Sequence, residues 1–166
     1  MSKKEGNWMN VLLSVKPKYA EEIRSGRKKY EFRRSVFKKQ NIERVYIYST
    51  SPVSKIVAAF EIEQILNGSP EKIWKLCHKY AGISKKDFFA YFKNSDTAYA
   101  IEIGNVNSFP VPIDPCHVIE NFVPPQSFYY LYLDFIQNKW NIHDIELMKP
   151  AFSAESVSEV PFMRQL

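Results

Sequence analysis

Only two cysteines occur among the 166 residues, Cys77 and Cys116, too few and too distant for a disulfide framework or a paired-cysteine zinc motif. Each precedes a histidine, as Cys77-His78 and Cys116-His117, but neighbouring helix residues diverge by about 100°. Cys77 falls with Ile73, Trp74 and Tyr80 on an apolar stripe, where a free cysteine behaves as a small hydrophobe. Reduced thiols are therefore expected, and neither a metal nor another cofactor. Nowhere does an apolar run approach the roughly 20 residues that cross a bilayer. The stretch from Met1 to Asn10 carries Lys3 and Lys4 but leads only into Val11, Leu12 and Leu13, short of a signal-peptide core. A cytoplasmic protein without a membrane partner is the expectation. No internal repeat or low-complexity tract is visible.

What the chain does have is a core and a concentrated charge. At 45% apolar and 25% charged, it suits one globular domain with extensions. Residues 16–39 hold ten Lys or Arg against three Glu, which leaves the rest of the chain slightly acidic although the whole carries +5. A local basic patch of this kind concentrates and steers polyanions, and makes nucleic acid the leading partner class. The aromatic content of 15% adds rings on which bases could stack beside such a patch. Most rings belong to the core, because Tyr46 and Tyr48 alternate with Val45 and Ile47.

Val11–Val15 predicts a short strand, and Pro17 opens a helix with Tyr19, Ala20 and Ile23 at helical spacing. Gly26 stops that helix in a left-handed turn. Lys29–Arg34, Arg44–Ser49 and Lys55–Leu66 follow as strands. Ser69-Pro70 caps a helix with Ile73, Trp74, Leu76, Cys77 and Tyr80 on its buried stripe, and Ser84 with Asp87 resembles a capping box before aromatic Phe88, Phe89, Tyr91 and Phe92. Asp96–Phe109 returns to strand. Five prolines between Pro110 and Pro125 then predict a surface connection, before a last strand or short helix at Gln126–Leu131. Three segments are expected: a flexible N-terminus over 1–10, a domain over 11–133, and a partly helical C-terminal extension over 134–166.

The densest chemistry lies at Gly26-Arg27-Lys28-Lys29-Tyr30-Glu31-Phe32-Arg33-Arg34, five cations around one acid where a helix hands over to a strand. Strand alternation puts Glu31 and Arg33 on one face and Tyr30 and Phe32 on the other. Gly26, Lys28, Glu31 and Arg33 resemble the glycine, lysine, glutamate and arginine signature of the ASCH domain family, a branch of the PUA-like superfamily. The similarity extends through Leu12-Leu13-Ser14-Val15-Lys16-Pro17, Val45-Tyr46-Ile47-Tyr48-Ser49-Thr50-Ser51-Pro52 and Ala98-Tyr99-Ala100-Ile101-Glu102-Ile103, covering most of residues 11 to 109. The resemblance implies an α+β fold, a small mixed PUA-like β-barrel with helices packed across it, and a cleft that binds RNA or a modified nucleoside.

On that resemblance Lys28 and Arg33 contact phosphate or a base edge, and Glu31 accepts from an exocyclic amine or a base N–H. Lys16, Thr50 and Ser51, at the ends of strands, and Gln126 and Ser127, after Pro124-Pro125, are further candidates to line the cleft; Ser14 could join them. Two other readings stay open. As a hydrolase of RNA or acylated nucleosides, the protein would use Glu31 as general base and Lys28 to stabilise an oxyanion or phosphorane. One family branch resembles an amidohydrolase acting on acetylated cytidine with a lysine, a threonine and a glutamate. Lys28 matches its lysine, but Glu31 occupies the threonine position and residues 73–83 contain no carboxylate. The third reading is a regulatory barrel that binds protein. Oligomeric state does not follow from the sequence.

Overall fold

The computed structural model describes residues 8–131. Among these, β1 (Met9–Val15), β2 (Tyr30–Arg33), β3 (Ile42–Ser49), β4 (Lys55–Gly68), β5 (Ala98–Ile113) and β6 (Phe128–Leu131) alternate with α1 (Pro17–Arg24), α2 (Pro70–Cys77), α3 (Lys85–Tyr91) and α4 (Pro115–Val118). The strands make one mixed sheet in the order β2-β5-β4-β3-β1-β6, with β1 parallel to β3 and the other pairs antiparallel. The α+β class expected from the sequence is observed. The extension expected over 134–166 lies outside the described residues.

β1 starts two residues before Val11, since Asn10 pairs with Leu131 of β6 and both Met9 and Asn10 are buried. The strand expected to end before Pro110 continues to Ile113, which pairs with Ile56. β2 covers β5 only from Tyr99 to Glu102, so Pro110 and Pro112 fall on an edge where a missing N–H breaks no second ladder. The remaining connection is also interrupted by α4, whose first turn is capped by Asp114 accepting from the Cys116 N–H at 3.0 Å. At Phe128–Leu131 the alternative of strand or helix resolves to strand.

The buried strands carry near-continuous apolar runs because both sheet faces are covered. Val11, Leu13, Val45 and Ile47 pack with Ala20 and Ile23 of α1 on one face. Leu12, Tyr46 and Tyr48 pack with Val118, Ile119 and Tyr129 on the other, the alternation expected of the tyrosine-rich strand. A third cluster joins Phe32, Ala98 and Ala100 to Ile73, Cys77, Phe88 and Phe92, so α2 and α3 cover the β2 end of the sheet.

Two expected members of the α2 stripe are exposed: Leu76 at 58% and Tyr80 at 43%. Leu76 sits one residue, about 100°, from buried Cys77. At His78–Tyr80 the helix tightens to a single 3-10 turn, which rotates Tyr80 off the stripe and brings Ala81 inward instead.

The barrel that the resemblance implies is not closed by strand pairing. β2 and β6 stand at opposite ends of the sheet order and pair only with β5 and β1. A side chain spans the seam instead: Arg33 of β2 donates to the Ser14 carbonyl of β1.

Candidate functional site

The geometry starts at the end of α1. Ser25 N–H bonds Glu21 O at 3.0 Å, Gly26 N–H bonds Ile23 O at 3.0 Å, and Lys28 N–H bonds Glu22 O at 2.9 Å, winding the chain tightly off the helix. Gly26 has φ +76°, the left-handed conformation expected of it. Nothing lies within 4 Å of where its Cβ would be, so conformation rather than space calls for glycine. Lys29 is then fixed on both sides, its N–H to Tyr80 O and its carbonyl to Ile103 N–H, each at 2.9 Å.

Lys28, held between these anchors, turns its side chain inward. It precedes β2, so strand alternation does not govern it. Its ammonium donates to Ala81 O at 2.7 Å, lies 4.6 Å from the Phe32 ring centroid and 5.4 Å from that of Tyr19, and stands 3.9 Å from Glu31 Oε2. Glu31 Oε1 accepts from Arg33 Nη1 at 3.4 Å. The same Nη1 donates to Ser14 O at 3.0 Å, and Nη2 donates to Ser127 Oγ at 2.7 Å. Lys28, Glu31 and Arg33 retain only 3, 6 and 5% of their surface, while Phe32 faces the aromatic cluster as alternation requires.

Two buried cations therefore share one carboxylate. Taking a charge out of water costs several kcal/mol unless it is paired and hydrogen-bonded. Desolvation lowers the Lys28 pKa from 10.5 to about 8, with Glu31 and then Glu22 offsetting part of the loss. The ammonium still predominates at neutral pH, and the trio keeps an excess positive charge. Such an arrangement can offer Lys28 and Arg33 to an anion and Glu31, whose Oε2 stands 3.9 Å from Lys28 and beyond hydrogen-bond reach of it, to a donor.

Besides Ser14, Ser127 is the sequence candidate joined directly to the trio. Its carbonyl also accepts from Ser14 N–H at 2.9 Å, and Ser14 Oγ donates to Pro125 O at 2.6 Å, tying the segment before β6 to β1. Thr50 N–H bonds Val15 O at 3.0 Å, which sets the half-buried Thr50 where β1 gives way to exposed Lys16. Ser51 and Gln126 are exposed. No hydrogen bond or ion pair among the described residues links Lys16, Thr50, Ser51 or Gln126 to the trio.

Sequence reasoning missed the wall opposite Lys28. Gly82 adopts φ +60°, and a Cβ there would lie 2.5 Å from Lys28 Cβ and 2.7 Å from its Cγ. Any side chain would displace the lysine, and only glycine tolerates the conformation cheaply. The available signal was the small pair Ala81-Gly82 directly after a helical pattern.

A mixed sheet whose end strand carries a buried glutamate and arginine, with a buried lysine just ahead of it, defines the class of domain to which this chain compares. The ASCH domain family model matches residues 13–107. An ASCH domain-containing ribonuclease of Zymomonas mobilis is 30% identical over 123 residues, covering 73% of this chain and 83% of that protein. The crystal structure of ASCH from Zymomonas mobilis superposes with a TM-score of 0.68 at 25% identity, covering 83% of this chain and 93% of the other. A Ureaplasma parvum protein named large ribosomal subunit protein uL22 is 30% identical over 99 residues, 60% of this chain but only 32% of that longer protein. The chain belongs to the ASCH domain family.

Proposed function

We propose that this protein binds RNA, or a modified nucleoside, in a cleft lined by Lys28, Glu31 and Arg33. The observation that carries the reading is the imbalance of the trio: two cations and one carboxylate, all nearly buried, joined by contacts of 3.4 and 3.9 Å. A phosphate oxygen or base carbonyl supplies a further acceptor to Lys28 and Arg33, and a base N–H supplies a further donor to Glu31. Lys16, Thr50, Ser51, Gln126 and Ser127 form the rim. The ribonuclease of Zymomonas mobilis supports RNA as the polymer. On this reading the sheet serves as a PUA-like barrel whose seam is spanned by Arg33, and the cytoplasm is the compartment.

A second reading, cleavage of RNA, is favoured by that same relative and by a lysine of pKa about 8 beside a carboxylate. Glu31 would take the proton of a ribose 2′-hydroxyl as it attacks phosphorus, Lys28 would stabilise the phosphorane, and collapse would break the P–O5′ bond, the 5′-oxygen leaving with the proton from Glu31 and a 2′,3′-cyclic phosphate remaining.

Titration of single-stranded RNA at several salt concentrations tests the cleft. Lys28→Ala and Arg33→Ala, each shown to be folded by circular dichroism, should lose about tenfold in affinity and flatten the salt dependence by roughly one phosphate contact. Wild-type affinity and slope in both folded variants would remove the trio from binding. Sampling the mixtures over time reads cleavage, which Glu31→Gln should abolish if the second reading holds.

A further inference from the structure

Tyr80 presents an aromatic ring at the surface for which the core offers no reason. The 3-10 turn carries it off the α2 stripe and leaves it 43% exposed. Its ring centroid lies 5.1 Å from Lys29 Nζ and 5.3 Å from Lys79 Nζ, and both lysines are exposed. Its main chain is pinned, since Tyr80 O accepts the Lys29 N–H at 2.9 Å. The next carbonyl, of Ala81, accepts from Lys28 Nζ at 2.7 Å. Consecutive carbonyls thus tie the ring's backbone to the residues that begin the buried trio. Exposed Lys72 and Lys75 and half-exposed Trp74 lie along the same α2 segment, against a single acid, Glu71.

A ring on an anchored main chain, between two exposed cations, has the chemistry of a base-stacking platform. The ring loses little freedom on binding, and any base can offer it a π-face. An ammonium that leaves the ring on its long stem can follow the phosphate of the nucleotide that replaces it. A double helix keeps its base faces stacked internally, so such a platform selects unpaired nucleotides.

We propose that Tyr80, flanked by Lys29 and Lys79, stacks an unpaired base of single-stranded RNA next to the nucleotide held at Lys28, Glu31 and Arg33. This rests on the binding function proposed for that trio and adds to it a second contact point and a preference for single strands.

The test compares wild type, Tyr80→Ala, Tyr80→Phe and Arg33→Ala in titrations with a short unstructured RNA, a duplex of the same sequence and a mononucleotide. Tyr80→Ala should weaken binding of the single strand about tenfold while leaving its salt slope unchanged, because a neutral ring releases no counterions. Tyr80→Phe should bind like wild type, and duplex and mononucleotide affinities should not respond to either change. Because Tyr80 is exposed, both variants should keep the wild-type circular dichroism and melting midpoint. Wild-type affinity of Tyr80→Ala for the single strand, with Arg33→Ala weakened, would overturn the platform alone. Equal loss in Tyr80→Phe would overturn stacking in favour of the hydroxyl. An unaffected Arg33→Ala would overturn the trio and the platform together.

Discussion

Arg27 meets Glu22 at 2.9 Å on the outside of α1, and Lys55 meets Asp114 at 2.6 Å near the start of β4, whereas the buried Lys28 and Arg33 stand 3.9 and 3.4 Å from Glu31. The two shortest pairs thus lie where water already screens them, and burial has not tightened the other two, which are no shorter than the solvent-screened pair of Arg24 with Glu21 at 3.3 Å. A buried pair repays its desolvation only with close, well-aligned contacts. Around Glu31 the side chains are instead held by other groups, Lys28 by Ala81 O and Arg33 by Ser14 O and Ser127 Oγ. Two main-chain carbonyls and the Ser127 hydroxyl thus position the cations and leave their attraction to Glu31 incomplete.

The sharpest way to break this contrast is Glu31→Gln. It keeps the shape but leaves both buried cations without a counter-charge, and removing one partner from a buried pair costs about 3–5 kcal/mol. Urea unfolding at neutral pH should show a stability loss of that size, read as a lower midpoint at an unchanged m-value. A loss below about 1 kcal/mol would mean that water reaches the trio freely and that it behaves like the surface pairs.

The next effect is a pH dependence of unusual sign. Lys28 titrates near 8 in the folded chain against 10.5 as its ordinary value. Below pH 8 both states hold the proton, and the cost of burying the charge is present in full. Between about 8 and 10.5 the unfolded chain binds the proton and the folded chain does not, so stability rises with pH, by roughly 3 kcal/mol across the window. RNA affinity should move the other way and fall above pH 8 as the ammonium is lost. Paired melts and titrations of wild type and Lys28→Met isolate the effect, since other groups titrate equally in both. Parallel pH curves for the two proteins would show that Lys28 is not the group responsible.

Much of this arrangement was legible in the residues, and the failures have physical causes. Alternation correctly put Glu31 and Arg33 opposite Phe32, and Gly26 correctly marked the left-handed turn. The inward turn of Lys28 was not derivable that way, because it depends on Lys29 bonding to Tyr80 O more than fifty positions along the chain. The pair Ala81-Gly82 marked only a small-residue stop, because the role of Gly82 is a close approach to Lys28 from another element. Tyr80 was misassigned to the core because a helical period was carried through a segment that tightens to a 3-10 turn. Pro110 and Pro112 stopped a strand on paper that continues in fact, since the pairing of β2, set by tertiary structure, decides which part of β5 is an edge. Local patterns thus located the signature; contacts between distant segments decided what surrounds it.

The smallest expected effect completes the comparison from the other side. Glu22 accepts from Arg27 Nε and Nη2, and that hydrogen bonding holds its carboxyl below the usual range. Both groups remain in water, with Arg27 62% exposed, so Glu22→Gln leaves a solvated guanidinium rather than a stranded one. The urea midpoint should therefore stay within error of wild type, in contrast to Glu31→Gln. Removing this acid also frees Arg27 and makes the basic patch more positive, so RNA affinity should rise slightly at low salt and converge with wild type as salt screens the field. A destabilisation approaching that of Glu31→Gln would mean that the tight outer pair carries the fold after all, and that distance rather than burial ranks the ion pairs of this protein.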